Sequence, residues 1–273
     1  MKIKNVNIEP TALLAEVLGT FVLATVALTI GQPLLVGLTL VVLVFAMSSI
    51  SGAHVNPVVT FGLWSIKKLE GVKVPFYWAA QFSGALFALV AFQLYKGQDL
   101  ALSLGSFTKF DTKIVVAELI GAAIFTFAVA SVIHRNQAEA SKAAAIGLAL
   151  MVGLYVGGGL LNQAAQNADP SAKETPRVAN VDGVVLNPAI ALAASEKEDQ
   201  AALQQSFLGK KSASSKTPAS RFTLETVVGG LVGGALGANL FMVLAGANPY
   251  AKKQTVATKV TKVVKKTVKK AKK

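Results

Sequence analysis

Two asparagine-proline pairs are the residues of this 273-residue chain best suited to chemistry. Asn56-Pro57 and Asn187-Pro188 each open an apolar run, 57 to 66 and 188 to 194, that is too short to cross a bilayer. A short helix that starts at the membrane midplane leaves its first N–H groups without intrahelical partners, where each unsatisfied donor costs several kcal/mol. Proline suits the first turn because it has no N–H to satisfy. The preceding asparagine caps the helix with its side-chain oxygen and keeps its amide NH2 free to point elsewhere. Two such ends facing one another would set two amide donors and two positive helix-dipole ends around one point. That site suits a neutral, oxygen-bearing solute and repels cations. Two carboxylates, Glu16 and Glu118, stand alone among apolar neighbours and read as intramembrane groups, by default functional ones such as a proton relay. His54, two residues before Asn56, reads as lining the inner pore or as bracing the loop.

The rest of the chain must position those groups inside a membrane. Hydrophobic residues make up 53% of it and charged residues only 15%, too little charge for an ordinary water-soluble domain. Apolar runs bounded by polar or Gly/Pro punctuation place six spans near 12–31, 34–50, 75–95, 114–133, 143–161 and 222–245. Ala15-Glu16-x-x-Gly19 is echoed by Ala117-Glu118-x-x-Gly121, Val36-Gly37-Leu38 by Ile146-Gly147-Leu148, and Gly84-Ala85-Leu86 by Gly234-Ala235-Leu236. Ser51-Gly52-x-x-x-Asn56-Pro57 is matched by Asp182-Gly183-x-x-x-Asn187-Pro188. Each copy holds three spans, an odd number, so the second enters from the opposite side and the repeat is inverted. The expected organisation is a first repeat over 1–110 and a second over 111–247, the latter with a long polar outer loop at 160–221, followed by a lysine-rich cytoplasmic tail over 248–273. The fold class is an all-α integral membrane protein of six transmembrane helices plus two re-entrant half-helices.

These residues resemble the aquaporin or major intrinsic protein family. The resemblance rests on Ser51 to Thr60 (SGAHVNPVVT), on Leu186-Asn-Pro-Ala189 and on the two Ala-Glu-x-x-Gly spans, and it covers about residues 11 to 246. It implies a homotetramer with one pore per subunit and passive passage of water or small neutral solutes such as glycerol, urea or ammonia. Carried onto this chain, Asn56, Pro57, Val58, Asn187, Pro188 and Ala189 form the paired pore motifs, and Glu16, Glu118 and His54 brace the half-helices. It also places Val36, Leu154, Val184 and Ile190 at the selectivity constriction. Ile190 stands where family members usually carry an arginine, so this constriction is apolar throughout. Arg177 and Lys173 of the outer loop are candidates to fold into the missing arginine's place.

The net charge of +13 is largely a property of the tail, since Lys252–Lys273 contains ten lysines and no acid. Valines at 256, 260, 263, 264 and 268 recur among those lysines at near-helical spacing, the pattern of a basic amphipathic helix on anionic lipid; nucleic acid is not expected as a partner. Lysine and arginine placement puts both termini on the cytoplasmic side of a cell (plasma or inner) membrane. No catalytic constellation is legible: the two histidines lie far apart, no His-Glu zinc pattern occurs, and no cysteine is present. Neither an enzyme, a metal nor a cofactor is expected. The competing classes are an ion-coupled secondary transporter, which would use Glu16 or Glu118, and a non-conducting scaffold acting through the tail.

Overall fold

In the computed structural model, the described residues are 2–3, 6–102, 104–105, 110–168, 177–195 and 220–250. The amphipathic tail, Lys173 and most of the outer loop lie outside them. A two-residue hairpin, β1 (Lys2–Ile3) against β2 (Val6–Asn7), precedes the helices. The long helices are α1 (Pro10–Thr29), α2 (Pro33–Ser51), α4 (Val74–Tyr95), α5 (Thr112–His134), α6 (Glu139–Gln166) and α8 (Leu224–Leu244). All six are long and apolar enough to cross a membrane. Between them sit two short helices, α3 (Pro57–Ser65) and α7 (Pro188–Ala193).

The spans were legible to within a few residues except at α6, which runs past the expected end at 161 to Gln166. Leu160-Leu-Asn-Gln-Ala-Ala-Gln166 is largely strong helix formers, so the helix outlasts the apolar run. Both short helices stop one residue before the end of their apolar runs, with Ile66 and Ala194 as C-caps.

Helix packing has the two-fold pattern of an inverted repeat. Helix α1 packs on α4 as α5 packs on α8, and α1 packs on α2 as α5 packs on α6. Each short helix crosses to the other half: α3 packs against α8, and α7 against α4. Helices α2 and α6 meet across the two-fold, where a Cβ on Gly37 would stand 2.7 Å from the Gly147 carbonyl and one on Gly147 2.4 Å from the Gly37 carbonyl. The last glycine landmark is shifted by one residue from its expected partner. Gly84 lies against the Val17 carbonyl, and the glycine in the same relation to Leu119 is Gly233, not Gly234. Because Val17 and Leu119 each follow a repeat glutamate, the three-dimensional mate of Gly84 is Gly233.

Each long helix divides into two faces. On α1, Ala12, Ala15, Glu16, Gly19 and Leu23 are buried, while Leu14, Leu18 and Val22, spaced four residues apart, are exposed. Val42 and Phe45 of α2 and Leu236 and Leu240 of α8 are likewise exposed. An aliphatic outer surface of this extent, on helices of bilayer length, is a lipid-facing surface. The protein is a multi-pass membrane protein.

Candidate pore site

Asn56 and Asn187 are the N-caps of the two short helices. The side-chain oxygen of Asn56 accepts from Val58 N at 2.8 Å, and that of Asn187 from Ala189 N at 3.1 Å and Ile190 N at 3.4 Å. Pro57 and Pro188 occupy the first helical position, so the capping oxygen and the missing N–H together answer the first turn. The side-chain amides then cross between repeats. Asn56 Nδ2 donates to the Leu186 carbonyl at 2.9 Å, and Asn187 Nδ2 donates to the Val55 carbonyl at 3.0 Å. Each asparagine therefore grips the residue immediately before its counterpart, and both are nearly fully buried.

The gripped residues are held in a costly backbone conformation. Val55 has φ of 43° and Leu186 φ of 54°, both in the left-handed region, where a non-glycine residue carries about 1–3 kcal/mol of strain. The two intramembrane glutamates supply the restraint. Glu16 accepts from His54 N at 2.9 Å and Val55 N at 2.7 Å; Glu118 accepts from Val185 N and Leu186 N, both at 2.9 Å. One turn on, Gly19 and Gly121 clear the space beneath the same residues. A Cβ on Gly19 would stand 2.5 Å from the Val55 side chain, and one on Gly121 2.8 Å from that of Leu186. The Glu-x-x-Gly spacing is thus a clamp, with the carboxylate holding two N–H groups and the glycine admitting the side chain between them.

The first clamp is completed by neutral groups. Ser51 Oγ donates to Glu16 at 2.7 Å and Gln81 Nε2 at 2.7 Å, and Gln81 Nε2 also reaches Thr60 Oγ1 at 2.9 Å. Thr60 donates to the Asn56 carbonyl at 3.1 Å. His54 Nδ1 lies 3.1 Å from the Thr60 hydroxyl, and its ring packs 4.9 Å from Tyr77, whose hydroxyl donates to Ser51 O at 2.8 Å. The sequence pointed to Glu16, Glu118 and His54 and placed Ser51 in a repeat landmark, while Thr60, Tyr77 and Gln81 carried no repeat signal that would have marked them.

The four constriction candidates are spread through the apolar core of the bundle. Val36, Val184 and Ile190 are buried members of it, and Leu154 is partly buried and packs against it. Val184 seats against Gly157, one turn along α6 from Leu154.

The sequence matches the family described as Major intrinsic protein over residues 4–169, more than half of the chain. This chain belongs to that family. Aquaporin Z of Photorhabdus laumondii is 31% identical over 168 residues, covering 51% of this chain and 73% of that one. The rice aquaporin NIP2-1 is 46% identical over 59 residues, 22% of this chain and 20% of the rice protein. The chain thus spans about a fifth of the length of the plant relatives it matches at the highest identity. Among solved structures, the X-ray structure of the aquaglyceroporin from Plasmodium falciparum superposes with a TM-score of 0.52 at 23% identity, covering 92% of this chain and 98% of that one. That likeness establishes the aquaporin-like fold.

Two charged residues in this family member carried no signal in the sequence. Arg221 is buried, its Nη2 donating to Gly183 O at 2.9 Å and lying 3.7 Å from Glu118, with Nη1 3.5 Å from Asp182 O. Glu225, in the first turn of α8, is fully buried and pairs with Arg177 Nη1 at 2.6 Å while accepting from Asp111 N at 3.1 Å. Arg177, one of the two residues expected to substitute for the missing arginine, is therefore committed to Glu225. A lone charge at the edge of a polar loop or in the first turn of a span reads as solvated flank, so neither position is marked by its local sequence.

Proposed function

We propose that this protein is a passive transmembrane channel for water and small neutral solutes, with its path passing between Asn56 and Asn187. The observation that carries the reading is the reciprocal amide pairing at the two half-helix N-termini. One hydrogen of each NH2 holds the opposing loop, and an amide carries two, so each asparagine retains a donor for a passing oxygen. Donors backed by two positive dipole ends favour a neutral oxygen-bearing molecule over a cation.

The finer part of the proposal concerns Val36, Leu154, Val184 and Ile190 as the selectivity constriction. The seating of Val184 against Gly157, one turn along α6 from Leu154, supports it. Water passing aliphatic side chains surrenders hydrogen bonds at about 1–3 kcal/mol for each one unmade. A solute with an apolar face of its own, such as glycerol, or one of low polarity such as ammonia, loses less. The solute range extends to urea-like molecules, and a homotetramer in the cell membrane with both termini cytoplasmic belongs to the same proposal. So does contact of the tail with anionic lipid.

Stopped-flow light scattering on proteoliposomes under water, glycerol, urea and ammonia gradients tests the reading, with Ile190→Arg beside the wild type. The wild type should pass at least one small solute readily, and the arginine should lower solute flux relative to water. Fast water flux with exclusion of all three solutes would overturn the constriction assignment.

A further inference from the structure

We propose that Arg221, delivered from the segment before α8 and not from the half-helix, is the fixed positive charge that sets cation exclusion at the mouth approached by residues 177–186. The inference rests on the channel reading above.

Arg221 ties together the two limbs of the second re-entrant loop. Its backbone N–H donates to Ala194 O at 2.7 Å, at the end of α7, and the preceding Ser220 is bridged to Ser195. Its guanidinium reaches back to the approaching limb, at Gly183 O and Asp182 O. Gly183 has φ of 67°, a conformation that glycine adopts freely and that turns this stretch toward Asn187. The charge therefore sits between the descending and ascending limbs, only a few residues from Asn187 on one side and one helical turn beyond Ile190 on the other.

Bracing alone does not call for a cation here. The first repeat holds the same loop with the same carboxylate, and Glu16 is completed by the neutral groups of Ser51 and Gln81. In the register set by Gly84 and Gly233, the position matching Gln81 is Gly230, which has no side chain to offer. A neutral amide from elsewhere would fill that gap. Arg221 instead lies 3.7 Å from Glu118, beyond hydrogen-bond length, and spends its 2.9 Å bond on Gly183 O. Charge buried at membrane depth is expensive and marks ion pathways. Its field in a poorly screened mouth acts on any ion entering, while a neutral solute is unaffected.

The test is planar-bilayer conductance in KCl together with proteoliposome glycerol flux, on full-length protein checked for monodispersity. Arg221→Gln should raise potassium conductance about tenfold while glycerol flux persists. Arg221→Lys, which keeps the charge, should retain exclusion. Adding Ile190→Arg to Arg221→Gln should restore it. Should Arg221→Gln fail to fold, Arg221→His carries the test, excluding potassium at acid pH, where the imidazole is charged, and leaking at alkaline pH, where it is neutral. Wild-type exclusion in Arg221→Gln, or exclusion at both pH values in Arg221→His, would show that Arg221 only balances Glu118, and would overturn the inference. A wild type that passes neither water nor glycerol would instead defeat the underlying channel reading.

Discussion

Asn56 and Asn187 each hold the other's loop: the Asn56 amide donates to the carbonyl before Asn187 at 2.9 Å, and the Asn187 amide to the carbonyl before Asn56 at 3.0 Å. Sequence distances of 130 and 132 residues separate the partners, so this pair of bonds closes the two repeats on one another at their centre. Asn56→Ala removes the N-cap of α3 and leaves the Leu186 carbonyl unpaired. With a cap worth about 0.5–2 kcal/mol and a buried unsatisfied carbonyl about 1–3 kcal/mol, the expected loss is about 2–4 kcal/mol. Unfolding in detergent measures it, and Asn187→Ala should cost a similar amount.

The Glu16 carboxylate accepts from four donors, two backbone and two side-chain. Glutamine at that position keeps one oxygen and turns an NH2 toward groups that are themselves donors. At about 1–3 kcal/mol for each donor left unmet, Glu16→Gln should lose about 2–5 kcal/mol, read as a fall in melting temperature. A proton-relay role for Glu16 would predict instead a stable protein with altered pH dependence of flux.

Close helix contact predicts opposite effects for two glycines. A Cβ on Gly237 would stand 2.1 Å from the Ala123 carbonyl, so Gly237→Ala must push α5 and α8 apart, at about 1–3 kcal/mol. Gly159 has nothing within 4 Å of its added Cβ and lies inside α6, so Gly159→Ala should be neutral or stabilise by up to about 1 kcal/mol. Paired thermal melts in one detergent decide both.

The buried Arg177–Glu225 pair and the exposed Lys142–Glu139 pair are both 2.6 Å long, yet should differ in worth. Glu225 is fully buried, whereas the Glu139 side chain is 53% exposed. Glu225→Gln should cost about 3–5 kcal/mol because it removes the buried countercharge of Arg177, and Glu139→Gln far less, its charge being solvated. Urea unfolding of the wild type and the three variants that complete each double-mutant cycle measures the difference.

Much of the architecture was legible because it is written twice. The Glu-x-x-Gly and Asn-Pro spacings recur in the same order in both halves, so a short run that alone reads as a loop-to-helix turn becomes one of a pair. The repeat does not announce groups used in one half only. Gln81 completes the first clamp, Gly230 has no side chain at the matching place, and Arg221 enters from the segment just before α8. Such asymmetric solutions arise from contacts between residues distant in sequence, here Arg221 with Gly183 and Arg177 with Glu225, and neither has a local pattern. The one-residue slip between Gly233 and Gly234 has a similar origin. In a run of closely spaced glycines, the one that meets the neighbouring backbone is chosen by packing, not by spelling.

The most direct measurement of the central claim is solute flux through proteoliposomes bearing the wild type or Asn56→Asp/Asn187→Asp. The substitution keeps the capping oxygens and replaces both NH2 donors with anionic oxygen beside the opposing carbonyls and the positive helix ends. The account predicts passive flux of a neutral solute through the wild type, and abolished or altered permeation through a double variant that elutes and melts as a folded protein. Unchanged flux in that folded variant would contradict it.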